Sequence, residues 1–457
     1  MRSKVLYVML SICLCSLAFA LKPEITNNGT FYIYSFFWQN GDFNSDMNDY
    51  GDQYFYMHAD VGIHVDFGAG VSSQVTLGGW GTFGKHPLTG EGNQGGTPGQ
   101  EVAIREAYID FAELFDSPLS IRAGKMHVLY PGQVYDGGED GVMGAKIYGR
   151  TDIIDYDISW YRLVENGGCW CARTDNDPVE DDLDLFGAYF TAKFLEGFIK
   201  LSPYGFWRTT SYSSVDTVIV IDTLGDTTVT INTYENKDDP MWLGGRLDFG
   251  PIAGLSINGE FAMMMGQSEV VDVATTDYKG MHYMGKISYA PAMLPIALGG
   301  GYYVFTGDDE GTAENEFYET PIWGPYTNDF YKWWVGFGPA HLQKTFGAFN
   351  LIAPPSSSVF DFYATNLVVI NGNIGFQQGP FMLRGDFYKY DRNWVPDGTN
   401  KDMGMEFALL TTYTYKKTIT VGATGGYWLP GDWQVDYYGA EYDDAMLGGY
   451  LFTYISF

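Results

Sequence analysis

The sequence predicts an all-β chain: a transmembrane antiparallel β-barrel of the bacterial outer membrane, with about 18 strands. Three observations predict it. Two-residue alternation recurs along most of the chain, its connections divide into short turns and long polar loops, and the chain stops on a strand aromatic, Phe457. The stretch "YFYMHADVGIHVDF", Tyr54 to Phe67, shows the alternation most cleanly. Its odd positions (Phe55, Met57, Ala59, Val61, Ile63, Val65, Phe67) are apolar or small, while the even ones carry Tyr54, His58, Asp60, His64 and Asp66. Period two is the mark of a strand with one apolar face and one wet face.

In chain order, "MRSKVLYVMLSICLCSLAFA" comes first. Arg2 and Lys4 precede an apolar run that ends in Ala18-Phe19-Ala20, so residues 1–20 read as a signal peptide cleaved after Ala20. Residues 21–457 then read as a single barrel domain. No later stretch offers the roughly 20 consecutive apolar residues of a membrane helix, and the missing repeat argues against a propeller or solenoid. Alternation returns at Val71–Phe83, Leu183–Phe194, Met241–Phe249, Leu255–Met265, Met403–Tyr415 and Ile419–Tyr427.

Short connections fall at Gly68–Gly70, Phe115–Pro118, Leu195–Gly197, Gly250–Gly254, Gln378–Pro380 and Lys416–Lys417. Long ones fall at Gln39–Asp52, Gly84–Gly99, Asn166–Asp181 and Tyr212–Asp239. Short turns on one rim and long loops on the other place both termini on the periplasmic side. The closing "YLFTYISF" puts Leu451, Ile455 and Phe457 on one face. A terminal strand ending in Phe implies the barrel-assembly machinery as a partner, and the apolar faces imply outer-membrane lipid and lipopolysaccharide. A soluble β-sandwich has no need of that terminal residue.

A net charge of -30 argues against nucleic-acid partners, which require a basic surface. Parity assigns a pore-lining wall of Asp60, His64, Glu106, Arg122, Lys200, Arg208, Arg246, Asp248, Glu260, Lys286, Arg384, Asp386 and Glu406, with Asp66, Asp110 and Lys193 beside them. Such a wall suits a porin-like channel that passes small or oligomeric polar solutes passively, saccharides among them, by pore width and opposed charges. Tyr204, Trp242 and Tyr388 on wet faces offer stacking surfaces for sugar rings. The competing classes are a pore-less structural or adhesin-type barrel and an outer-membrane hydrolase. The chain has no Gly-x-Ser-x-Gly elbow, and no catalytic residues are expected.

Metal signals are sparse. "DFNSDMND" sets Asp42, Asn44 and Asp46 at alternating positions like the start of a calcium loop, but Met47 stands where such a loop needs Gly. Solvated acidic loops are the default reading, calcium bridging acidic extracellular loops is the one ion such loops would suit, and no cofactor is expected. His58/Asp60 and His64/Asp66 are each two apart on a strand, the spacing of a possible metal pair, and without a third ligand they read as polar wall. For Cys169 and Cys171, two free thiols, a tight bridge and mutual oxidation all stay open.

Residues 103–194 resemble the alginate-export family of outer-membrane porins. "AIREAYIDF" is similar to that family's Arg-Gln-Ala-Tyr strand at Arg105, Ala107 and Tyr108, with Glu106 for Gln. "LSIRAGKM" is similar to its Leu-Arg-x-Gly-Arg-Gln strand at Arg122 and Gly124, with Lys125 for Arg and Met126 for Gln. "DLDLFGAYFTAKF" resembles a later strand through Asp184, Leu185, Gly187 and Tyr189, whereas the family's Phe-Asp-Gly reads Val142-Met143-Gly144 here. The resemblance implies an 18-stranded barrel, in agreement with the turn count. It also implies an arginine-rich lumen suited to a polyuronate, and the mixed wall departs from that.

The longest interruption runs from about Gly307 to Phe362. It carries "GDDEGTAENEFYET" and then Trp333, Trp334, Phe337, Phe346, Phe349 and Leu351. So many apolar groups are costly to leave in water. The segment is therefore expected to fold over or into the barrel mouth, the alternative being two extra wall strands.

Overall fold

The computed structural model describes residues 23–39, 52–84, 102–130, 135–136, 141–164, 183–221, 227–271, 273–309, 311–318, 366–440 and 443–457. Eighteen wall strands form one closed antiparallel ring. The first seven are β1 (Glu24–Gln39), β2 (Asp52–Gly68), β3 (Val71–Gly84), β4 (Val102–Phe111), β5 (Ser120–Met126), β8 (Val142–Arg150) and β9 (Ile154–Val164). Next come β10 (Leu183–Phe194), β11 (Ile199–Ile221), β12 (Thr227–Ile252), β13 (Leu255–Val270), β15 (Met281–Tyr289) and β16 (Ile296–Phe305). The last five are β17 (Leu367–Gln378), β18 (Phe381–Asp391), β19 (Asp402–Tyr415), β20 (Ile419–Pro430) and β21 (Met446–Ser456). Three short strands lie outside the wall. β6 (Leu129–Tyr130) and β7 (Tyr135–Asp136) pair with each other, and β14 (Ala274–Asp277) extends the end of β13.

Closure is made between the first strand and the last. β1 pairs with β21 from Thr30↔Ser456 to Gln39↔Leu447, and Gly29 and Phe457 exchange backbone hydrogen bonds of 2.9 and 3.1 Å. A Cβ on Gly29 would lie 2.5 Å from the Phe457 ring, so the glycine leaves room for the terminal aromatic. One rim carries short connections, the longest running over eight residues between β4 and β5. At Lys416 and Lys417, φ values of 48° and 62° place both residues in the left-handed region, as a two-residue hairpin turn demands.

Parity then sorts the side chains. Phe55, Val61 and Ile63 on β2 are about half exposed on the outer face, as are Leu243 and Leu247 on β12, Ile374 on β17 and Leu409 on β19. Exposed aromatics stand towards the two ends of this belt: Tyr289, Tyr413 and Tyr415 near the short turns, Trp207, Tyr302 and Tyr427 towards the other rim. No helix among the described residues is long and apolar enough to cross a membrane. A closed ring needs none, because each strand's backbone is paired on both sides.

The interior is not uniformly wet. Tyr161, Leu185, Tyr189, Phe206, Trp242, Met264, Tyr303, Phe305, Tyr388, Tyr390 and Trp428 point inwards and form one buried cluster. Inserted segments join it, Tyr278 from the β13–β15 connection among them. Val128 and Tyr130 come from the β5–β8 connection, Tyr318 from the segment after β16, and Trp433 from the short helix α1 (Asp432–Tyr438) between β20 and β21. Tyr204, Trp242 and Tyr388 are 5%, 0% and 0% exposed, so they are packing groups and not free stacking surfaces.

Two sequence expectations about connections change. Tyr212–Asp239 is not a loop: β11 and β12 run on as a paired ribbon from Thr210↔Asp238 to Ile221↔Thr227. At roughly 3.3 Å per residue these strands far exceed the ~25 Å apolar band, and their Thr- and Val-rich ends continue the ladder beyond it. The alternative of two extra wall strands within 307–362 also fails, because β16 pairs directly with β17 from Ile296↔Phe376 to Phe305↔Leu367. Gly307 to Tyr318 instead turns inwards. Tyr318 is 1% exposed against His282 and Phe305, while Trp333, Trp334 and the apolar residues after them lie outside the described residues.

Val61→Arg is expected to block assembly, at a cost of about 2–4 kcal/mol for a cation at the bilayer midplane. His64→Arg, on the inward face of the same strand, should assemble normally. Heat-modifiability gels of the two variants compare them directly.

Candidate functional site

The inward residues of the wall form charge clusters at different heights. On β2 and β4, His58 Nε2 lies 2.7 Å from Asp60 Oδ2, and Arg105 Nε lies 3.0 Å from Asp60 Oδ1. The Thr30 hydroxyl donates to Asp60 at 3.3 Å, and Tyr32 stacks on His58 with ring centroids 4.6 Å apart. Arg105 breaks the parity rule. Thr76 pairs with Glu106 but Leu77 pairs with Ile104, so Arg105 is the extra residue of a bulge and turns inwards beside Glu106.

Around β4 to β9, Arg122 donates to Asp110 at 2.6 and 3.2 Å while lying 4.2 Å over the Tyr108 ring. Tyr148 donates to Asp110 at 2.8 Å, and Glu106 accepts from the Thr76 hydroxyl at 3.0 Å and from the His127 backbone at 3.3 Å. Lys146 pairs with Asp157 at 3.0 Å, and Tyr130, from an inserted segment, donates to the same carboxylate at 2.6 Å. Burial pushes the Tyr130 and Tyr318 hydroxyls well above their ordinary pKa, so both act as fixed neutral groups.

From β11 to β18, Arg208 pairs with Asp238 at 2.8 Å and Arg246 with Asp248 at 2.8 Å. Asn258 donates to Asp248 at 2.5 Å, and Arg246 lies 3.5 Å from Glu260, which also accepts from Tyr204 at 3.3 Å. Arg384 pairs with Asp386 at 2.7 Å. Lys286 lies within electrostatic reach of both Arg246 and Arg384, and the side chains of Arg246, Asp248 and Arg384 remain 16%, 26% and 26% exposed. Arg246, Lys286 and Arg384 stand four to seven residues from the short-turn rim, with Lys193 and the exposed Lys200 nearer still on β10 and β11. One side of the lumen is thus a basic band interleaved with acids.

All thirteen residues assigned to the pore by parity take the inward direction, but they differ in what they face. Lys200 is exposed, and Asp60, His64, Glu106, Arg122, Arg246, Asp248, Lys286 and Arg384 keep partial exposure. Arg208, Glu260, Asp386 and Glu406 are 2%, 4%, 5% and 0% exposed and belong to the packed interior. Asp42, Asn44, Asp46, Cys169 and Cys171 lie outside the described residues. Among the described residues, no group of three His, Cys, Asp or Glu is placed to hold a metal ion.

No protein-family model matches the chain, and a search of curated proteins finds no match. Solved structures do match. Acinetobacter baumannii OccAB1 aligns with a TM-score of 0.52 at 12% identity, over 94% of this chain and 96% of its own. Pseudomonas aeruginosa OccK2, in complex with glucuronate, gives 0.52 at 8% identity over 95% and 98%. A BenF-like porin from Pseudomonas fluorescens Pf-5 gives 0.52 at 9% over 96% and 99%. The fold is that of an outer-membrane porin. At these identities the likeness concerns the fold alone, and these neighbours are not alginate exporters.

Arg105→Ala should destabilise the barrel by about 1–3 kcal/mol, since it removes a nearly buried guanidinium and its ion pair while Asp60 keeps His58, Thr30 and some water. The expected observation is a lower temperature for loss of the folded, fast-migrating band.

Proposed function

We propose that this chain is a passive, non-enzymatic channel of the bacterial outer membrane for small polar solutes, saccharides and small carboxylates among them. One observation carries the reading. Inside a barrel with an apolar outer belt, Arg246, Asp248, Lys286 and Arg384 keep charge exposed on the inner wall. Opposed charges on a wall select solutes by field and by width without any bond being made. The basic band adds a place for a carboxylate to rest, and the glucuronate held by OccK2 is a precedent of the same chemistry. The finer resemblance of residues 103–194 to alginate exporters favours a polyuronate, but acids pair most of the cations, so a short solute suits this wall better.

A second reading has its own observation. Trp242, Tyr388, Tyr390 and Trp428 are 0% exposed, which favours a filled, pore-less barrel. Current decides between the two. Purified protein in planar bilayers should give discrete unitary steps, and silent insertion would favour the filled barrel. In the conducting case Lys286→Glu should shift the reversal potential towards cations, most strongly at low salt, where the Debye length is long.

Outer-membrane lipid and lipopolysaccharide are the proposed surroundings of the apolar belt, and the assembly machinery the proposed reader of the last strand. Deleting Phe457 removes both backbone hydrogen bonds to Gly29. The expected outcome is normal export across the inner membrane with slow or absent outer-membrane insertion, seen by membrane fractionation.

A further inference from the structure

The closing seam of the barrel carries a set of rings that the charge clusters do not account for. Tyr32 and Tyr34 on β1, and Tyr450, Phe452 and Tyr454 on β21, all take the inward parity, with Tyr32 opposite Tyr454 and Tyr34 opposite Phe452. Ring centroids are 6.4 Å apart for Tyr32–Tyr454, 5.3 Å for Tyr32–Tyr34, 5.8 Å for Tyr34–Phe452, 5.4 Å for Tyr34–Tyr450 and 5.7 Å for Tyr450–Phe452. The five rings therefore make one continuous strip. Same-face residues on a strand rise about 6.8 Å apiece, so the strip climbs along the lumen over three rungs.

Its exposure sets it apart from the aromatic cluster deeper in the barrel. Tyr450 is 5% exposed, but Tyr32, Tyr34, Phe452 and Tyr454 are only partly buried. Hydrogen-bonding groups border it: Thr30 and Asp60 beside Tyr32, and Thr420 opposite Tyr454 on β20, whose hydroxyl lies 3.0 Å from that of Thr414 on β19. Counting round the ring, β12 stands nine strands from β1 in either direction. The strip therefore faces the wall that carries Arg246 and Asp248.

We propose that this strip is a binding track for the C–H faces of pyranose rings, so that the channel takes cyclic sugars in preference to open-chain polyols. Aromatic faces attract flat apolar faces without a fixed direction, and such a contact can be handed from ring to ring along the lumen. The bordering hydroxyls and carboxylate take the sugar hydroxyls. An open-chain polyol offers the same hydroxyls but no fixed C–H face, so it gains only the hydrogen bonds. This inference rests on the channel reading.

The test uses the full-length barrel in planar bilayers, with methyl glucoside as a locked pyranose and sorbitol as its open-chain counterpart. Methyl glucoside should reduce the open-channel current at a concentration roughly two- to tenfold below that of sorbitol. Tyr34→Leu should abolish that difference while leaving the open-channel conductance in place, and Phe452→Leu serves equally if the first variant assembles poorly. Equal action of the two solutes on the wild-type barrel, or an unchanged preference in an assembled Leu variant, overturns the track and leaves the channel standing. Absence of unitary current overturns both.

Discussion

The structure depends on one constraint: within hydrocarbon every backbone N–H and C=O has to find its partner inside the protein. A sheet meets that demand only by closing, and here closure is made by β1 against β21 and completed by the exchange between Gly29 and Phe457. Once the ring is closed, each strand has one side towards lipid and one towards the interior. The placement of Val61 outwards and His58 inwards then follows from the alternation: the apolar parity meets lipid and the polar parity meets the interior.

Closure creates a second problem, because a ring of this size encloses more space than short wall side chains fill. The chain answers with inserted segments. Tyr130, Tyr318 and Trp433 bring aromatic bulk from three different connections to a cluster that already holds Trp242, Tyr390 and Trp428. The helix α1 is held there by Gln434, whose amide donates to the Met403 carbonyl at 2.6 Å. Arg392 lies 4.3 Å over the Trp433 ring. Connections on the long-loop rim are therefore part of the interior as much as of the surface.

The charges obey the same logic. Carboxylates inside a barrel are costly unless paired, and Asp60, Asp110, Asp157, Asp248 and Asp386 each have a cation within 3.0 Å. Pairing also cancels most of the long-range field. What remains for a passing solute is local: a partly exposed Arg246 or Arg384 on one side, and partly exposed rings at the seam on the other. The acidic excess of the whole chain acts over a Debye length and fades with salt, whereas contacts at close range are screened less.

The sequence by itself determined the class of fold, a strand number of about 18 and the inward or outward direction of most wall residues, while the direct pairing of β16 with β17 removed the 20-strand alternative. All three follow from period two and from turn length, which are local properties of the chain. It did not reveal Arg105, because a bulge shifts parity by one residue and leaves no mark in "AIREAYIDF". Nor did it separate the partly exposed Arg246 from the buried Glu260, or the partly exposed Tyr34 from the buried Tyr388. Both members of each pair sit on a wet-reading face; what lies against them is supplied by neighbouring strands or by connections far away in the chain. Alternation says which way a side chain points. Only the packing of the closed barrel decides whether it meets water, a partner or another ring.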